Sequence, residues 1–320
     1  MKIRLRFFVL VALLNCFYVA GNATHKTVPL YYHYINKAEL AIVDSAFLEA
    51  LIYYSEAFTF KFPNDKDLEN AFIIACIQKD TQLARKFINQ LALQGWAFYN
   101  VSGHGHSYPP YLDTNFVKSI NQDCDSLFQI AKRSLPVNMR YWSILYEEDQ
   151  RVRNTGDVND PIIRSIARAT DSLNMLFSLL LIQDRGFPSF EKTGYFFDDS
   201  GQVTNIAYSS FFLLYWHQRG ASVSVIDSVV LQAVATGDFR PDLWMVCNKY
   251  RSGAKHLYGL DFEKENYTNE EIARINDNRK SRMLEPFPDF VKKAKYQKAN
   301  LGLYAYPQIK FYDNFLFIPG

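Results

Sequence analysis

Residues 36–58 read NKAELAIVDSAFLEALIYYSEAF, and residues 70–95 read NAFIIACIQKDTQLARKFINQLALQG. Laid over one another at an offset of 34, Ala41 falls on Ala75, Ala50 on Ala84 and Tyr53 on Phe87. Small residues at repeated helix contacts let two helices approach closely, and the aromatic beside them fills the groove between successive pairs. Asp44 and Asp80-Thr81 offer turn or N-cap chemistry before the second helix of each pair. Pro63-Asn64-Asp65 separates the two units. Two such units cannot bury their own faces, so the segment is expected to dock on the C-terminal part of the chain.

A 34-residue period of this kind resembles the tetratricopeptide repeat, although its usual Trp, Gly and Pro positions are not all filled. The predicted fold is mainly α: TPR-like helical hairpins followed by an α-helical domain, with little or no sheet. The expected segments are a signal peptide at 1–23, TPR-like hairpins at 24–100 and a connecting loop and helix at 101–135. A helical domain at 136–296 and an aromatic-rich tail at 297–320 complete the chain. Few glycines and prolines, 14 and 12 in 320 residues, agree with helices rather than a many-turned β sandwich.

The first residues read as an export signal. Lys2, Arg4 and Arg6 precede an apolar run, and Gly21-Asn22-Ala23 places small residues at a cleavage site. The apolar run is shorter than a membrane span requires. Leu13-Leu14-Asn15-Cys16 loosely resembles a lipobox, which makes a lipid anchor at Cys16 the lesser alternative. No transmembrane span is expected in the mature chain. Without the three basic residues of the leader, 35 Lys+Arg against 33 Asp+Glu becomes a net charge of −1. So balanced a chain has no long-range field to draw in nucleic acid. Three cysteines, Cys76, Cys124 and Cys247, with no CxxC spacing, exclude a disulfide framework but leave room for one pair.

Beyond residue 95, Gly103, Gly105, Pro109 and Pro110 predict a loop. Its His104 and His106 would share one side of an extended segment, with no third metal ligand signalled, so no metal and no cofactor is expected. The sequence predicts helices at 115–133, 162–184, 202–218, 224–236 and 241–251, and a polar one at 270–282 with basic residues toward its C-terminal end. Asp160-Pro161 should start the second of these, and Arg185-Gly186 should end it. The last twenty residues read as an extended tail.

The stretch EEDQRVR, residues 147–153, comes after an aromatic run. On a helix Glu147–Arg151 and Asp149–Arg153 would be i,i+4 pairs in the favourable order. That explains the charges as a solvated face, but it leaves Gln150 unexplained. The order of motifs resembles the bacterial family of unknown function DUF6624 over about residues 141–293. The matching elements are Glu148-Asp149-Gln150 with Arg153, Gly186-Phe187-Pro188 followed by Gly194, and Trp216-His217. Tyr258-Gly259-Leu260-Asp261 and Asn276-Asp277-Asn278-Arg279 through Pro286 complete them. The chain departs where Val246-Cys247 stand for an Asp-Arg pair, His256 for a Gln, and Leu260-Asp261 for a Thr-Gln pair. The resemblance implies a shared helical unit and a polar cluster of Asp149, Gln150, Arg153, His217, His256 and Tyr258. It brings no established reaction.

Walker, HExxH and GxSxG patterns are absent. The favoured reading is an exported protein or peptide interaction or scaffold module of the bacterial cell envelope, with the TPR-like segment as the surface expected to take the partner. One alternative is a hydrolase-type enzyme using His217 with Asp149, which requires the two to meet in reach of solvent. The other is a purely structural polar core.

Overall fold

The computed structural model describes residues 27–95, 114–134, 139–157, 159–197, 203–217, 223–249, 254–261, 267–300 and 311. The segment expected to be a leader, with Cys16, the expected loop with His104 and His106, and nearly all of the expected tail lie outside them. The fold is mainly α.

Four helices open it: α1 (Thr27–Val43), α2 (Phe47–Ala57), α3 (Asp65–Ile77) and α4 (Thr81–Leu93). They pack as consecutive hairpins, α1 on α2 and α3 on α4. Both hairpins turn in the same way. Ser45 and Lys79, 34 residues apart, each take a φ of 59°. The Ala46 and Asp80 amides donate to the Ala41 and Ala75 carbonyls at 2.8 and 2.9 Å. Ala41, Ala50, Ala75 and Ala84 are all buried, as close approach of the helices requires. Asp80 caps α4, its side chain accepting from the Leu83 amide. Asp44 does not cap α2; it binds Lys292 at 2.6 Å instead.

Next come α5 (Thr114–Ser134), α6 (Met139–Asn154) and α7 (Pro161–Arg185). Arg85 of α4 reaches Ser119 and Asp123 on α5. Helix α7 starts with Pro161 behind the Asp160 cap and stops at Gly186, φ 80°, as its sequence predicts. Among the described residues it is the one helix long and apolar enough to cross a membrane. The short α8 (Phe190–Thr193) leads into β1 (Tyr195–Phe197), which pairs antiparallel with β2 (Val203–Ile206). The helix expected at 202–218 therefore begins later, as α9 (Ala207–His217). Val203, Thr204 and Ile206 are β-branched and suit the ribbon.

Helices α10 (Val223–Thr236), α11 (Pro241–Lys249), α12 (Ala254–Tyr258), α13 (Asn269–Lys280) and α14 (Phe287–Asn300) complete the described structure. The Leu284-Glu285-Pro286 turn not only ends α13 but starts α14, which returns to α1. There Lys293 meets Glu39 at 2.6 Å with both side chains buried. Glu39 also takes Lys66 at 2.5 Å, and Asn36 donates to Asp289 at 2.7 Å. One continuous apolar core runs through the hairpins and the later helices. Cys76, Cys124 and Cys247 are buried within it and form no disulfide with one another, and burial pushes Cys76 and Cys124 up to about 12.

Candidate functional site

Helix α6 turns Trp142, Leu145, Asp149 and Val152 inward, at helical spacings of three and four. Three of these are apolar. The fourth, Asp149, is 0% exposed and needs partners. It has three. Arg153, one turn on, donates to its Oδ1 at 2.6 Å, Gln150 Nε2 donates to Oδ2 at 2.7 Å, and His217 Nδ1 lies 3.1 Å from Oδ1. Gln150, unexplained as a surface residue, is thus a ligand of the buried carboxylate.

The surface pairing differs from expectation. Arg151 takes Glu148, three residues back, at 2.6 Å, while Glu147 accepts from Ser143 at 2.6 Å. The i,i+3 geometry lets the guanidinium grip Glu148 through both Nε and Nη2, which a reach to Glu147 would give up. Only Asp149–Arg153 forms as an i,i+4 pair.

A fifth residue completes the group. Arg153 Nη2 donates to Asp171 of α7 at 2.7 Å, so one guanidinium bridges two carboxylates from two helices. Asp171 carries no motif; it is one acid on the polar side of a long amphipathic helix. Its only sequence signal is that α7 must pack its polar side beside α6.

The two acids are driven apart. Burial alone would raise Asp149, but the bond and charge of His217, with Arg153 and Gln150, outweigh it and hold the carboxyl below its usual value. Burial wins at Asp171 and raises it despite Arg153. Asp149 thus stays ionised and Asp171 is the more easily protonated member. An ionised Asp149 fixes the His217 tautomer with hydrogen on Nδ1 and leaves Nε2 to act. His217, at the C-terminal end of α9, is 22% exposed, so solvent reaches the ring. Carboxylate and imidazole atoms of Asp149, Asp171 and His217 lie within 4.8 Å of one another, close enough to share a metal ion. Arg153 already bonds both carboxylates there, so a metal would have to expel a fixed cation.

Asp149, Gln150, Arg153 and His217 are therefore joined directly. His256 and Tyr258 are not: no bond or ion pair ties them to this group among the described residues. His256 is exposed on α12. Tyr258 belongs to a packing knot, its carbonyl accepting from Arg279 Nη1 at 2.9 Å and its ring edge-on to Trp244. Arg279 is fully buried, 4.4 Å above the Phe290 ring, and also binds the Glu285 carbonyl. Gly259 has φ 65°, and a Cβ there would lie 2.5 Å from Phe287. Asn276 Oδ1 accepts from the Phe287 amide at 2.7 Å. These motif residues thus hold α12, α13 and α14 together. Val246 and Cys247, in place of a charged pair, are buried among apolar side chains.

No protein family, no curated protein and no solved structure matches the chain.

Proposed function

We propose that the chain is an exported helical interaction and scaffold protein of the bacterial cell envelope, and that it assembles with a second copy along α7. The exposed face of α7 carries this reading. Ile162, Ile166, Ala169, Leu173, Leu176 and Leu180 succeed one another at 4, 3, 4, 3 and 4 residues, and all are exposed. That is the 3.5-residue period of a seam between two helices, sustained over about 27 Å. A polar surface would be expected on a helix with nothing to cover it. The flanking Ser165, Thr170 and Ser172 are small and uncharged, so two copies meet without like-charge repulsion. Arg164, Arg168 and the Arg153-bound Asp171 on the same helix weigh against burial in lipid.

The test is molar mass in solution. The purified chain should run as a dimer, and Leu173→Glu with Leu176→Glu should run as a folded monomer with unchanged helical circular dichroism. A wild-type monomer at about 100 μM, roughly a hundredfold above a micromolar Kd, would overturn the reading. Export is tested by the amino-terminal sequence of protein recovered from the envelope fraction, expected to begin just after Ala23. The DUF6624 likeness of residues 141–293 belongs to the same proposal.

A second reading rests on Asp149 and His217. Their 3.1 Å contact engages Nδ1 and leaves Nε2 of a partly exposed ring as the atom to act on a substrate. It predicts hydrolysis of an activated ester above the background of a His217→Ala variant. Equal rates would leave the cluster a purely structural one.

A further inference from the structure

A second polar site lies away from Asp149. The connection at residues 60–64, the turn at 189–191 and the turn at 236–238 enclose a cleft of about 230 Å³. Ser189 lines it, is 4% exposed, and its hydroxyl has no hydrogen-bond partner. A buried hydroxyl in that state lacks the bonds that water would give it. Lys61 lines the same cleft with its ammonium 4.5 Å above the Tyr31 ring. It donates to the Phe62 carbonyl at 2.7 Å and to Asn64 Oδ1 at 3.3 Å, which leaves one of its three hydrogens uncommitted. Gly237 makes room for it, since a Cβ at that φ of +77° would lie 2.8 Å from Lys61 Cε.

The walls also carry acid. Asp238 is paired with Lys192 at 3.0 Å, whereas Glu191 has no hydrogen bond or ion pair among the described residues. A simple anion would meet these carboxylates, and a simple amine would meet Lys61. A ligand bearing both charges answers both. Phe62 and Phe190, rings 6.3 Å apart, add apolar surface.

We propose that this cleft binds a free α-amino acid with an apolar side chain, its carboxylate taken by Lys61 and Ser189 and its ammonium by Glu191. Burial lowers Lys61 to about 8 against the pull of Asp67, Glu191 and Asp238, so the lysine is still mostly cationic at neutral pH and gains from a bound carboxylate.

Calorimetric titration of the full chain with leucine, 4-methylpentanoate and 3-methylbutylamine separates the two charges. Leucine should bind at least tenfold more tightly than either single-charge analogue. Ser189→Ala, which removes a partnerless hydroxyl and so should melt no lower than the wild type, should weaken leucine at least fivefold. Lys61→Met should abolish binding. The proposal is overturned if the carboxylate or the amine binds as well as leucine, if folded Ser189→Ala binds leucine unchanged, or if about 10 mM leucine gives no saturable heat.

Discussion

Replacing Asp149 by alanine removes the anion on which Arg153, Gln150 and His217 all converge. Arg153 keeps Asp171, so the expected cost is at the lower end for a broken buried pair, about 3 kcal/mol by urea denaturation. The same carboxylate has an acid signature. Its folded pKa is depressed, so its contribution is present above the unfolded value near 3.9 and lost as pH falls through the folded one. Asp171, raised, acts in the opposite sense, and Asp149→Asn should flatten the fall in stability below about pH 4. Lys61 acts in the same sense as Asp149, but at high pH. With a folded value of about 8 against about 10.4 unfolded, the unfolded chain binds the extra proton between them. Stability should therefore rise with pH across that window, and Lys61→Met should remove the rise in a series of melts. Four of the five residues in the Asp149 group are legible in the sequence because each sits in a recognisable motif. Asp171 is not, because a single acid on an amphipathic helix looks the same whether it meets water or an arginine. Ser189 is silent for a similar reason: a serine before a short helix normally reads as a cap, and here its side chain caps nothing.

Helix boundaries obey local chemistry closely where a cap or a stop is explicit. Asp80, Asp160-Pro161, Gly186 and Gly237 stand where the chain needs them. The start of α9 is hidden because a run apolar on all sides has no period to tell strand from helix, and only the β-branched residues at 203–206 carry the distinction. The hairpin repeat is readable from Ala positions alone. Ala84 is fully buried in α4, and Ala84→Leu should cost about 1–3 kcal/mol through overpacking, seen as a lowered thermal midpoint. The offset also shows in the backbone of the turns. Ser45 and Lys79 share one backbone conformation although their side chains differ in size and charge.

Across the whole molecule, the strongest cross-links lie between segments that composition cannot connect. Glu39 sits between Lys66 and Lys293, Lys66 also touches Asp67, and Arg240 of the α10–α11 turn reaches Asp65 on α3. Each residue alone reads as ordinary surface charge; the return of α14 onto α1 brings Lys293 to Glu39, and the packing of the α10–α11 turn on α3 brings Arg240 to Asp65. Glu39→Gln removes the anion that Lys66 and Lys293 share, but each keeps a second acid, Asp67 at 3.1 Å and Glu285 at 3.6 Å, so the cost should lie at the lower end for a broken buried pair, about 3 kcal/mol in chemical denaturation. Lys292→Ala, at an exposed pair with Asp44, should cost at most about 1 kcal/mol. That contrast distinguishes a buried junction from a decorative one.

The Glu39–Lys293 contact joins residues 254 positions apart. A ribosome delivers α1 long before α14, so during synthesis Glu39 has Lys66 but not its second cation. Closing so long a loop is entropically slow. Until it closes, the apolar side of α1 that α14 will cover stays open to chaperones and to other nascent chains. The emergence of α14 is therefore the step that ends this period of vulnerability, and a chain released before it would remain in the state that quality control recognises.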